Sequence, residues 1–159
     1  GHWEIDSVLG KKNENEPAVV ALTERKLRNS IWLKVKDHSA KAVDEALAEL
    51  FATFGDKYRE VFKTITSDNG SEFANLSRLE DKGIGIYFTH PYTSCEKGTV
   101  ECHNRMLRRF IPKGQSIDDY SADEILIFAD IMNALPRKLL GYHTPEELFD
   151  AELDRIYAV

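Results

Sequence analysis

The sequence predicts an α/β fold: a mixed sheet of five strands with helices on both faces. Residues 2–37 contain three strand-like runs separated by polar turns, a pattern typical of an antiparallel meander. After this meander, helical and strand-like segments follow in the order α-β-α-β-α-α-α. Helices that alternate with strands indicate β-α-β units, in which helices cover both faces of the sheet.

The first half of the chain supplies the meander and one helix. HWEIDSVLG is an extended run that ends in the polar turn KKNENEP, and AVVALTERKLR and SIWLKVK are β-rich runs separated near Asn29. Ser39 then has the character of a helix N-cap, and we expect the helix to stop at Gly55. Apolar residues with helical spacing lie between them: Val43, Ala46, Leu47, Leu50, Phe51 and Phe54.

The second half continues the alternation. VFKTITSD is predicted to be a strand that ends in the turn DNG, SEFANLSRLEDKG a helix, and IGIYF another strand. The loop THPYTSCEKG then leads into a helix over residues 97–111. Two further helices begin with capping residues, which are Ser121 with Glu124, and Thr144 with Pro145 and Glu147.

Composition indicates one globular domain of 159 residues, 42% hydrophobic and 30% charged. No apolar run approaches the length of a membrane span, and two cysteines make no disulfide framework, which suits a reducing cytoplasm. A zinc site of His90, Cys95, Cys102 and His103 is conceivable, but their order matches no standard spacing. The chain starts abruptly inside a strand-like pattern, so we expect residues 1–159 to be an excised core with neighbouring domains missing.

Charge is spread unevenly along this chain of net charge −6. Residues 115–159 hold ten acids and three bases, whereas residues 97–114 hold five bases and one acid. A basic strip on an otherwise acidic domain is compatible with binding to nucleic acid.

The helix predicted over residues 97–111, KGTVECHNRMLRRFI, is amphipathic. At about 100° per residue, one arc of the helix carries its polar residues: Glu101, Asn104, Arg105, Arg108 and Arg109. Two interpretations of this face remain open. It is either a solvated surface of Glu–Arg pairs, or a catalytic acid placed among cations that bind phosphate.

Three acids could meet at one end of the sheet. The first and fourth strands are expected to be neighbours at the centre of the sheet, so Asp6 and Asp68 can reach the same end of the sheet. Glu101 is expected on a helix that packs across that end. Singly, Asp6 could be a solvent-side residue, and Asp68 could belong only to a DNG turn. Together, such carboxylates suit two Mg²⁺ or Mn²⁺ ions that activate the oxygens of a phosphoryl displacement.

Four ordered motifs extend this hypothesis: GHWEID, TSDNGSEF, PY(x5)GTVE(x2)N and PRKLLGYHTPEELF. They resemble the catalytic core of retroviral integrases and bacterial insertion-sequence transposases, above all of the IS-thirty type, over nearly the whole chain. The resemblance implies a ribonuclease-H-like fold and an Asp-Asp-Glu triad at Asp6, Asp68 and Glu101, which would bind two Mg²⁺ or Mn²⁺ ions in the DNA-bound state. The chain departs from the usual pattern at four positions: Cys95, Val100, Cys102 and Leu135.

The implied activity is metal-dependent cleavage of DNA followed by attack of the freed 3′-hydroxyl on target DNA, as in transposition. The implied partners are transposon ends, target DNA and further copies of the chain, in a dimer or larger oligomer, and a flanking DNA-binding domain is expected. Two alternatives remain: a nuclease of the ribonuclease-H type that only hydrolyses, and a catalytically silent DNA-binding or assembly module. The intact triad argues against the silent module.

The resemblance also implies contacts with DNA. Asn104, Arg105 and Arg108 fall where integrases present DNA-contacting residues. We expect the loop over residues 89–99 to be mobile without DNA and to become ordered on binding, with Tyr92 and Lys97 near the DNA strand.

Overall fold

The computed structural model describes residues 1–11, 15–90 and 93–158. Its centre is a five-stranded sheet in the order β3-β2-β1-β4-β5. The strands are β1 (His2–Leu9), β2 (Ala18–Glu24), β3 (Ser30–Val35), β4 (Thr64–Ser67) and β5 (Gly85–Phe88). Strands β1, β2 and β3 are antiparallel, whereas β4 pairs in parallel with both β1 and β5. The predicted mixed sheet, with its first and fourth strands adjacent, is confirmed, and the fold is of the ribonuclease-H-like type.

The α-helices are α1 (Ala40–Thr53), α2 (Tyr58–Val61), α3 (Gly98–Leu107), α4 (Ala122–Asn133) and α5 (Pro145–Tyr157). Three predicted helix starts are confirmed. The Ser39 hydroxyl accepts a hydrogen bond from the backbone N–H of Ala42, and reciprocal capping boxes begin α4 and α5. None of the helices in the described part of the chain is long and apolar enough to cross a membrane.

The segment SEFANLSRLEDKG differs from its prediction. We expected one helix, but the residues form two 3₁₀ segments, Ser71–Phe73 and Leu76–Lys82. The buried residues Phe73, Leu76 and Leu79 recur every third position. A helix of about three residues per turn aligns them on one face, which accounts for the tighter winding.

Helix α3 is shorter than predicted, because it ends at Leu107 and not at Ile111. Pro112 follows Ile111, and a proline disfavours the α conformation at the residue before it. Arg108 and Arg109 therefore lie beyond the regular helix, in a turn whose Ile111 side chain is buried.

Two apolar layers hold the sheet. On one face, Trp3 and Ile5 pack into a cluster with residues of α1, including Leu47 and Phe51. On the other face, helices α3 and α4 cover the strands, α3 over β1 and β2 and α4 over β3. Alternation along β1 turns Glu4 and Asp6 away from the Trp3 face and towards α3, where the candidate site lies.

Candidate active site

A cleft of about 770 Å³ opens beside the carboxyl ends of β4 and β5 and the start of α3. All three acids of the predicted triad line this cleft: Asp6, Asp68 and Glu101. Asp6 lies on β1, Asp68 directly follows β4, and Glu101 lies in the first turns of α3. The sheet order therefore brings together residues far apart in the chain.

Asp6 and Asp68 converge on one cation, which is the ammonium group of Lys97. The Lys97 Nζ atom lies 3.1 Å from Asp6 Oδ1 and 3.0 Å from Asp68 Oδ2. Lys97 is only 5% exposed. Burial by itself would lower the pKa of Lys97, but the charges and hydrogen bonds of Asp6 and Asp68 outweigh burial and raise this pKa above its ordinary value.

The remaining oxygen of each aspartate is also bound. Asp6 Oδ2 accepts a hydrogen bond of 2.7 Å from the side-chain amide of Asn104, and Asp68 Oδ1 accepts one of 2.9 Å from the backbone N–H of Gly70. Each carboxylate is thus oriented through one oxygen and presents the other to the cation.

Glu101 lies in the same cleft but apart from the aspartate pair. Its side chain is exposed and makes no ion pair or hydrogen bond with any described residue, so the Glu–Arg pairs of the solvated-face interpretation are not formed at Glu101. Over residues 1–11, 15–90 and 93–158, no three His, Cys, Asp or Glu side chains are close enough together to hold a metal ion. The structure therefore gathers Asp6 and Asp68 closely and places Glu101 at the rim.

Helix α3 is fixed to the sheet by Glu4, a residue that we did not predict. The N-cap residue of α3 provides no side-chain cap. Instead, Glu4 Oε2 accepts a hydrogen bond of 2.8 Å from the backbone N–H of Val100, and Arg25 Nε lies 3.2 Å from Glu4 Oε1. The two-residue spacing between Glu4 and Asp6 was the available signal, because it places both acids on one face of β1.

A second unpredicted acid, Glu72, lines the cleft and is 7% exposed. Its Oε1 atom accepts a hydrogen bond of 2.7 Å from the Ser7 hydroxyl and lies 3.0 Å from His38 Nε2. A methyl group on Gly70 would lie 2.4 Å from Glu72 Oε2, so glycine permits the close approach of this carboxylate. No local sequence pattern indicated that Glu72 would be buried in the cleft.

The residues predicted to contact DNA have diverse surroundings. Arg105 is exposed, whereas Arg108 Nη2 donates a hydrogen bond of 2.8 Å to the Leu9 carbonyl, and burial lowers the pKa of Arg108. Asn104 and Lys97 bind the aspartates and do not project from the surface. Tyr92 lies outside the described residues. The DNA contacts of all five residues stay predictions: Asn104, Arg105, Arg108, Lys97 and Tyr92.

Three bacterial proteins are similar to this chain over most of its length. It is 39% identical over 94% of its residues to the "Probable transposase for insertion-like sequence element IS1161" of Streptococcus salivarius, covering 42% of that protein. It is 35% identical over 91% of its residues to the transposase for insertion sequence element IS1086 of Cupriavidus metallidurans, covering 42%. It is 32% identical over 94% of its residues to the transposase InsI for insertion sequence element IS30A of Escherichia coli K12, covering 38%. The chain thus spans about two fifths of the length of these relatives. No protein-family model matches it.

Proposed function

The chain is homologous to a segment of insertion-sequence transposases, and we propose that it is a catalytic core that cleaves DNA and transfers the freed 3′-hydroxyl end to target DNA. One observation carries the proposal: Asp6 and Asp68 converge on a single cation inside a cleft that Glu101 also lines. In the full-length protein we expect a separate DNA-binding domain. We propose that the full-length protein acts in the bacterial cytoplasm.

The aspartate pair is suited to a divalent cation. The Lys97 ammonium serves as a stand-in ion, since it shows that one oxygen of each carboxylate points to a common position. Carboxylate oxygens are ligands that Mg²⁺ and Mn²⁺ prefer. We propose that Asp6 and Asp68 bind one such ion without DNA, and that together with Glu101 they hold two ions in the DNA-bound state. When bound, the ions would activate the attacking oxygen and stabilise the leaving oxygen.

The other residues of the site orient these acids and attract the substrate. Asn104 holds Asp6, and the backbone N–H of Gly70 holds Asp68. Arg105 is exposed on the helix that carries Glu101, and the exposed Arg109 follows it. These two positive side chains are available to DNA phosphates.

We propose that the active form is a homo-oligomer, because a transposition event joins two transposon ends to one target. Sedimentation of the full-length protein with and without transposon-end DNA measures its oligomeric state. A form that stays monomeric while it joins both ends would contradict the proposal.

Two substitutions test the catalytic proposal in the full-length protein. Glu101→Gln retains size and hydrogen bonding but removes the charge, so we expect cleavage to be lost while DNA affinity is unchanged or slightly higher. Arg105→Ala should weaken DNA binding for all sequences and lower the slope of log affinity against log salt by about one. Arg59→Ala, which removes an exposed arginine of α2, is the matched control and should change neither quantity.

The products of the wild-type reaction separate the alternatives. Joined molecules of donor and target DNA indicate strand transfer, whereas nicks alone indicate a nuclease that only hydrolyses. Cleavage by Glu101→Gln at the wild-type rate would exclude the triad and leave the solvated-face interpretation of α3.

A further inference from the structure

Lys97 occupies the position in the cleft that a metal ion would need. Its Nζ atom lies about equally close to Asp6 Oδ1 and Asp68 Oδ2, at 3.1 and 3.0 Å, and 3.4 Å from the Ile5 carbonyl oxygen. The other oxygens of both aspartates are bound to Asn104 and Gly70. The oxygens that remain for a metal ion are therefore the ones that bind the ammonium group.

We propose that Lys97 is the resident counter-cation of the Asp6–Asp68 pair and that a divalent ion binds there only by displacing its ammonium group. This inference rests on the proposed metal-dependent function. Two half-buried carboxylates that face each other repel, and the ammonium removes this repulsion and keeps the pair oriented. An ion at coordination distance from both oxygens would compete for the same lone pairs and repel the ammonium.

The structure allows this exchange without movement of the helix that carries Glu101. Lys97 is the last residue of the short 3₁₀ segment Ser94–Lys97, immediately before α3. The helix itself is held further along, where Glu4 binds the Val100 N–H. A Cβ atom on the intervening Gly98 would have no neighbour within 4 Å, so the connection has open space around it.

The displaced ammonium group would stay beside the cleft. There it would lie close to a DNA phosphate bound at the metal ions. The ammonium group that paired with the aspartates could then pair with this phosphate instead. Lys97 then makes the DNA contact predicted from the sequence, but only after metal has bound.

Binding of Mn²⁺ alone tests the displacement. Free Mn²⁺ is measured by electron paramagnetic resonance in full-length protein without DNA, for wild type, Lys97→Met, Asp6→Asn and the control Lys113→Met. Methionine retains most of the apolar stem of Lys97 and removes its charge. We expect Lys97→Met to bind Mn²⁺ on the order of tenfold more tightly than wild type, since two charge-assisted hydrogen bonds no longer compete. Lys113 is exposed, and its substitution should have no effect. Without metal, Lys97→Met should also melt at a lower temperature than Lys113→Met.

The outcomes separate the two proposals. If wild type binds Mn²⁺ and Asp6→Asn does not, the metal site stands; equal or weaker binding by Lys97→Met then overturns the counter-cation role alone. If Asp6→Asn binds as wild type does, or no variant binds Mn²⁺, the proposed metal site fails and the inference fails with it.

Chemical labelling of the wild-type protein gives a second test that needs no variant. A brief pulse of an amine-reactive ester, read by mass spectrometry, should label Lys97 weakly without metal and several times more strongly with saturating Mg²⁺. Labelling of Lys113 should not change. Lys97 that stays protected while Mg²⁺ is bound would overturn the proposal.

Discussion

His103 shows how a single buried residue of the active-site helix links folding to pH. Its side chain is 4% exposed, and Nδ1 lies 2.8 Å from the Thr99 carbonyl oxygen, which identifies Nδ1 as the donor of this hydrogen bond. Burial, and then the positive charges of Arg137 and Arg28, lower the pKa of His103. The folded protein therefore holds this histidine neutral.

We predict that the free energy of unfolding falls as the pH drops below about 6.5, where His103 takes up a proton in the unfolded chain but not in the folded one. The stability that neutral His103 contributes is fully present above the pKa that this histidine has in the unfolded chain. It is lost as the pH falls towards the lower pKa that His103 has in the folded protein. Urea denaturation at about pH 7.5 and about pH 5 measures the difference. His103→Gln retains a donor for Thr99 and should reduce the loss. An equal loss in both proteins would show that other groups cause it.

At the scale of elements, helix α3 depends on a partner distant in sequence. Glu4 is 1% exposed, and its carboxylate accepts from Val100 at the positively polarised end of the helix. Glu4→Ala would leave this N–H without a partner, so we predict a loss of about 1–3 kcal/mol in the free energy of unfolding. Glu4→Gln retains an acceptor and should lose less.

The position of α3 also affects the site, because Glu101 directly follows Val100. We therefore expect Glu4→Ala to weaken Mn²⁺ binding even at temperatures where the protein stays folded, and Glu4→Gln to restore part of it. Glu49→Ala, on an exposed position of α1, is the control for both measurements. Unchanged melting and Mn²⁺ affinity in Glu4→Ala would show that α3 is held by its apolar face alone.

Local signals explain which elements could be predicted. The caps at Ser39, Ser121 and Thr144 are made by residues three positions apart, so short motifs indicate them. The anchor between Glu4 and Val100 joins residues 96 positions apart, and only the completed sheet brings them together. Similarly, strand order predicted that Asp6 and Asp68 share an edge, but no pattern predicted that Lys97 lies between them.

At the scale of the whole molecule, Asn133 joins the acidic C-terminal region to the sheet. Its side-chain oxygen accepts from the Ser30 N–H at 2.9 Å, and its amide donates to the Ser30 carbonyl at 2.8 Å. Both residues are buried at the junction of α4 and β3, whereas Asp6 lies on β1, Asp68 directly after β4 and Glu101 on α3. The two hydrogen bonds between Asn133 and Ser30 are therefore separate from the cleft.

This separation predicts that stability and catalysis can be changed independently. Asn133→Ala removes both hydrogen bonds and leaves buried backbone groups of Ser30 without partners, which should lower the free energy of unfolding by about 2–4 kcal/mol. Mn²⁺ affinity and the cleavage rate, measured well below the melting temperature, should stay near wild type because the cleft is unchanged. Asp130→Ala, at an exposed position of the same helix, controls for the loss of a polar side chain. A marked fall in Mn²⁺ affinity in folded Asn133→Ala would show instead that the α4–β3 junction and the cleft form one coupled unit.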